Sequence, residues 1–175
     1  MKLDYTAIDD IITFDLEINS ENVVNLIENC QKTIHAKPEC KILIYFSTIG
    51  GSFSHAELLL KYLNDNNKNI IMCAFHQISS AGFYIFYNFI GEKDIVDHTY
   101  ATMHYGDRMS SFRDLQDEES FDFFMANEIK IKMDEAVDLL FTRLKIQRKN
   151  IKIMKSGKDV FFNTEELRKF LAIKH

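Results

Sequence analysis

The sequence predicts an α/β fold built on a mainly parallel sheet. Two observations carry that expectation. Apolar runs of strand length alternate along the chain with stretches whose apolar residues recur at helical spacing. The two most apolar runs, Lys41–Ser47 (KILIYFS) and Asn69–Phe75 (NIIMCAF), are hydrophobic on both faces, as strands buried inside a parallel sheet should be. Strands of that kind are joined by right-handed crossovers.

The elements follow in order. Ile11–Leu16 (IITFDL) is a short β-rich run. Ser20 is placed to cap a helix with Glu21 in its first turn, and Val23, Val24, Leu26 and Ile27 give that helix an apolar face to about Ile34. After the Lys41–Ser47 strand, Ser54 and Glu57 have the spacing of a capping box, and Ala56, Leu59, Leu60 and Leu63 fall on one stripe. Beyond the Asn69–Phe75 strand, Ser79–Ile90 (SSAGFYIFYNFI) is too apolar for a surface helix and belongs in the core. DIVDH and ATMHY are two short strands. Phe121, Phe124, Met125, Met133, Ala136, Val137, Leu140, Phe141 and Leu144 then recur at helical spacing over roughly seven turns, a helix long enough to project from a small domain. A short helix near Arg148–Met154, a strand at Val160–Phe162 and a last helix from Asn163 complete the chain.

The totals bound the function. The 175 residues suit one domain, 1–175, with room for a core. The net charge of −5, with Lys and Arg dispersed among Asp and Glu, argues against a nucleic-acid surface and against a polybasic membrane patch. Cys30, Cys40 and Cys73 form no CxxC pair and read as reduced thiols of a cytoplasmic protein. The N-terminus has no apolar signal-peptide core, and no apolar stretch is long enough to cross a bilayer. His35, His55, His98 and His175 show no metal-ligand spacing, so no metal is expected, and no cofactor. The acidic residues Asp114, Asp117, Glu118 and Glu119 read as a solvated helix start.

Two places carry chemistry. Gly50 and Gly51 stand together in a chain of only 6 glycines. An ordinary turn needs one; a pair implies that the backbone comes close to something or aims its N–H groups at it. In HQISSAGFY a strand ends near Phe75 and a helix begins near Ser79 or Ser80. A hydroxyl at a helix N-terminus lies in a positive potential beside free amides, which suits a nucleophile whose reaction creates an oxyanion. A serine there is more often a plain cap, a lone His104 at a strand end more often a packed residue, and Asp159 in SGKDVFF is readable as a turn aspartate.

Taken together and in order, these segments resemble the proteolytic subunit of Clp protease, in the ClpP/crotonase superfamily. STIGGSF stands where that family has its oxyanion loop, SSAGF where it has its nucleophile, TMHYG where it has its histidine, and KDVFFNTEEL where it has its aspartate and final helix. The resemblance runs from about Ile11 to Leu171. It implies a repeated β-β-α superhelical fold with a projecting handle helix at about 114–144. It implies a Ser80–His104–Asp159 triad, with oxyanion N–H groups from Gly51 and Ala81, hydrolysing peptides or unfolded proteins. It also implies a homo-oligomeric ring, possible as two rings stacked through the handles. About ten residues precede the first strand, too few for the axial loops that meet an unfoldase ATPase in the family, so that partner is not expected. Ser79 and His76 are neighbouring alternatives for the reactive pair. Ala81, Phe83 and Tyr105 differ from the family's residues, which motivates a second reading, a catalytically silent ring or scaffold subunit. A crotonase-like acyl-CoA enzyme is the third, although no basic cluster for CoA phosphates lies near Gly51.

Overall fold

The structure, a computed structural model, describes residues 5–104 and 121–172. The described residues form a mixed α/β fold with a parallel four-stranded sheet and six α-helices. The chain divides into two compact units, one of Met1–Thr102 with Phe161–Lys174, the other of Met103–Val160.

The first unit is built on β1 (Asp10–Asp15), β2 (Ile42–Thr48), β3 (Ile70–Ile78) and β4 (Glu92–Ile95), in spatial order β1-β2-β3-β4. All three pairings are parallel, with Ile12 beside Ile44 and Ile44 beside Met72. Each connection is a helix: α1 (Ser20–Ala36), α2 (Phe53–Asp65) and α3 (Ala81–Asn88). The inner residues Ile42, Ile44 and Phe46 are fully buried, as are Val23, Ala56, Leu59, Leu63, Phe83 and Phe86 from the helices. Leu43, Ile71 and Cys73 form a second buried cluster flanked by Ile8 and Tyr45, so β2 and β3 are covered on both faces, as their continuous apolar runs require.

Several boundaries differ from the sequence reading. Asn19, not Ser20, caps α1: its side-chain oxygen accepts the Asn22 N–H at 2.9 Å. The Ser54–Glu57 box does not form. The helix starts earlier, with Ser52 at the cap, and Ser54 pairs its hydroxyl with that of Ser52 at 3.0 Å. Ser52 is held there by its N–H donating to Ile18 O at 2.8 Å, a tertiary contact that local spacing does not encode. Strand β4 begins at Glu92 because it pairs from Ile71 onward, and it ends at Ile95, before the DIVDH run is complete.

Two further strands, β5 (Ala101–Met103) and β6 (Val160–Phe162), form a two-stranded sheet. The final helix α6 (Thr164–Leu171) starts in a full capping box: Asn163 accepts the Glu166 N–H, and Glu166 accepts the Asn163 N–H, each at 3.0 Å. Its Leu167 carbonyl accepts the buried Tyr87 hydroxyl at 2.7 Å, beside a cluster of Phe83, Tyr87, Phe162 and Phe170 rings.

The second unit contains α4 (Phe121–Arg143) and α5 (Arg148–Lys155). Helix α4 ends in a Schellman motif. Ile146 N–H reaches Phe141 O at 3.0 Å and Lys145 N–H reaches Thr142 O at 3.1 Å, with Lys145 at φ 53°. Val137, Leu140, Phe141 and Leu144 are buried, as the helical spacing predicts. The part of the expected handle at 114–120, with its acidic residues, and the side chains of Phe121, Phe124, Met125 and Met133 lie outside the described residues.

Candidate active site

The site begins with a distortion of β3. From Phe46 to Thr48 strand β2 advances two residues, while its partner advances from Ala74 to Ile78. The extra length is a bulge centred on His76, at φ 57°. Beyond it the strand pairs with Thr48 again and also with Tyr100: Tyr100 N–H donates to His76 O and Ile78 N–H to Tyr100 O, both at 3.0 Å. This bend delivers Ser79 and Ser80 to the head of α3.

Ser80 is the N-cap of α3, yet its hydroxyl makes no capping bond. Its backbone lies at φ 51°, ψ −120°, outside the small left-handed well that a non-glycine residue tolerates. Such a conformation costs about 1–3 kcal/mol and persists only when neighbours enforce it. Here they do. Ser80 N–H donates to Thr102 O at 2.9 Å, Ser79 N–H to Thr48 O at 2.9 Å, and Gly82 N–H to Ser79 O at 2.8 Å. Ser79, the alternative nucleophile, is 4% exposed. Its Oγ already accepts Gln77 Nε2 at 2.8 Å and Thr102 N–H at 3.0 Å. Among the described residues no protein group is bonded to Ser80 Oγ, which leaves Ser80 as the available hydroxyl.

The glycine pair faces this serine. A Cβ on Gly50 would lie 2.7 Å from Ser80 Cβ and 3.3 Å from Ser80 Oγ, and Gly50 is at φ 107°. The close approach inferred from two adjacent glycines is therefore twofold, Gly50 to Ser80 and Gly51 to the Ile18 backbone. Gly50 N–H is taken by Thr48 Oγ1 at 3.0 Å, and Gly50 O by Ile18 N–H at 2.8 Å. The bridge between Ile18 and Gly51 uses Gly50 O and Ser52 N–H, so it passes over the Gly51 N–H. Ala81 opens α3, where the first N–H groups lack helical acceptors. The amides of Gly51 and Ala81 are thus both without a backbone partner among the described residues.

His104 and Asp159 are brought together in the second unit, with His104 Nδ1 4.0 Å from Asp159 Oδ1. That is ion-pair range but longer than a hydrogen bond. With Nδ1 toward the carboxylate, Nε2 is the nitrogen left for proton transfer. Their side chains are 34% and 54% exposed. Ser80, Gly51 and Ala81 belong to the first unit.

Sequence reasoning missed Thr48, which anchors both Gly50 and Ser79, and it missed the Gln77–Ser79 contact. The only signal for either was position, directly before the glycine pair and directly before the serine pair. A hydroxyl held in a strained strand-to-helix turn beside open amides is an arrangement suited to acyl transfer through a covalent serine intermediate. Comparison with known proteins takes the identification no further: no family model and no curated protein matches the chain.

Proposed function

We propose that the protein is a serine hydrolase, a ClpP-like peptidase acting on peptides or unfolded chains. The observation that carries this reading is Ser80: strained, uncapped at its hydroxyl, and set against the Gly50–Gly51 loop. In the proposed reaction Ser80 Oγ attacks the scissile carbonyl while His104 Nε2 takes its proton. The oxyanion is held by the Gly51 and Ala81 amides, and Asp159 stabilises the imidazolium. His104 returns the proton to the leaving amine, and water then releases the acyl group by the reverse sequence. One oxyanion donor contributes about 3–4 kcal/mol in comparable sites.

The ClpP/crotonase-like fold is part of the same proposal. The alternating parallel β/α order supports it, as does a 23-residue α4 in the place of the handle. That helix carries exposed Ile131 (44%) and Leu139 (72%), apolar surface that a second subunit of a homo-oligomeric ring would cover. A cytoplasmic location accords with three buried cysteines outside any disulfide. No described helix is long and apolar enough to cross a membrane.

A catalytically silent ring subunit is the second reading, favoured by the 4.0 Å gap between His104 and Asp159. A fluorophosphonate probe separates the two. Labelling of the wild type that vanishes in Ser80→Ala, and falls in His104→Ala, supports the hydrolase. No labelling of the assembled wild type refutes it.

A further inference from the structure

A chain of side-chain hydrogen bonds runs beneath Ser80 and is not used in the proposed reaction. Tyr100 O–H donates to Gln77 Oε1 at 2.8 Å. Gln77 Nε2–H donates to Ser79 Oγ at 2.8 Å. Thr102 N–H donates to the same Oγ at 3.0 Å, while Thr102 O accepts the Ser80 N–H at 2.9 Å. The path therefore starts at an aromatic hydroxyl on the segment before β5 and ends on the strained amide itself. The β3 end of this path is irregular: His76 and Ser80 have φ of 57° and 51°.

We infer that Tyr100, Gln77 and Ser79 are positioning residues that hold the Ser80 turn, and with it the Ala81 amide, in the geometry the reaction needs. This rests on the reading of Ser80 as nucleophile. The physical argument is one of enforcement. A strained φ/ψ pair relaxes unless more bonds hold it than the chain's own preference opposes. Beyond the bulge at His76, backbone bonds reach the turn from both sides, Ser79 N–H to Thr48 O and Ser80 N–H to Thr102 O, each at 2.9 Å. Ser79 Oγ adds the side-chain tie between them, since it accepts from Gln77 Nε2 and from the Thr102 backbone together. The network is part-buried, and hydrogen bonds in such a chain strengthen one another, so removing one member weakens the rest.

The test compares wild type, Tyr100→Phe, Gln77→Ala and the double variant. Turnover of p-nitrophenyl acetate is measured, with active sites counted by the fluorophosphonate probe. A relaxed turn lowers kcat about tenfold in each single variant and leaves KM within about twofold. The double variant falls no further than the worse single variant, because both cut one chain. A wild-type kcat in both single variants overturns the inference, as does a loss confined to KM. A second measurement needs no activity: hydrogen exchange at the Ser80 N–H. It rises about tenfold in Gln77→Ala if the network enforces the turn, and unchanged exchange overturns the inference. An unlabelled, inactive wild type refutes the hydrolase reading alone, and the exchange rate then decides the network.

Discussion

Gly51→Ala tests whether the backbone of the glycine loop is pinned from both sides. Gly51 lies at φ 142°, and an added Cβ would sit 2.3 Å from Ile18 O and 2.9 Å from Ile18 N and C. These are backbone atoms, so no side chain can swing away. Normal contact is about 3.5 Å, so Ile18 must retreat by roughly 1 Å. The retreat breaks Ile18 N–H to Gly50 O and Ser52 N–H to Ile18 O, both at 2.8 Å. Each such bond is worth about 0.5–1.5 kcal/mol net, and the disfavoured φ adds about 1–3 kcal/mol. Together the loss is about 2–6 kcal/mol, a large part of the ~5–15 kcal/mol that holds an ordinary domain. Urea unfolding followed by circular dichroism should show the midpoint falling by roughly 1–2 M. Any folded fraction should turn over ester about 10²-fold more slowly, the cost of moving a group by ~1 Å. An unchanged midpoint would refute the reasoning, because it would mean that Ile18 does not clamp Gly51.

Three further outcomes are expected. Ser80→Gly should unfold at higher urea than Ser80→Ala, by about 1 kcal/mol, because glycine alone relieves the strain at φ 51°; the usual order, alanine above glycine, would count against strain at this residue. Asn163→Ala should cost about 1 kcal/mol in the same assay through loss of the α6 capping box, and no loss would mean that α6 starts independently of its cap. Burial, then the charges of Asp10 and Cys40, push the Cys30 thiol up to about 12, and Cys40 and Cys73 are buried with it. At pH 8 iodoacetamide should therefore leave all three native thiols intact and alkylate all three in denaturant, as mass spectrometry reads directly.

Much of the fold was legible because it is written in local periodicity. The runs at Lys41–Ser47 and Asn69–Phe75 lie within one to three residues of β2 and β3, since a strand covered on both faces needs an unbroken apolar run. Val160–Phe162 was read residue for residue, and the last helix, expected from Asn163, starts at Thr164 with Asn163 as its cap. The Ser54 box failed for the opposite reason. Its spacing was correct, but a contact from Ile18, far away in sequence, started the helix earlier.

The sequence by itself determined the alternation of strands and helices, the buried faces, and the two places where glycines and serines make an unusual backbone worthwhile. It could not determine which serine is held in strain, which amides stay open, or that Thr48 and Thr102 enforce the turn. Those properties depend on hydrogen bonds between residues many positions apart. Only the tertiary structure brings such partners within 3 Å of one another, and only there does a disfavoured φ find enough neighbours to keep it.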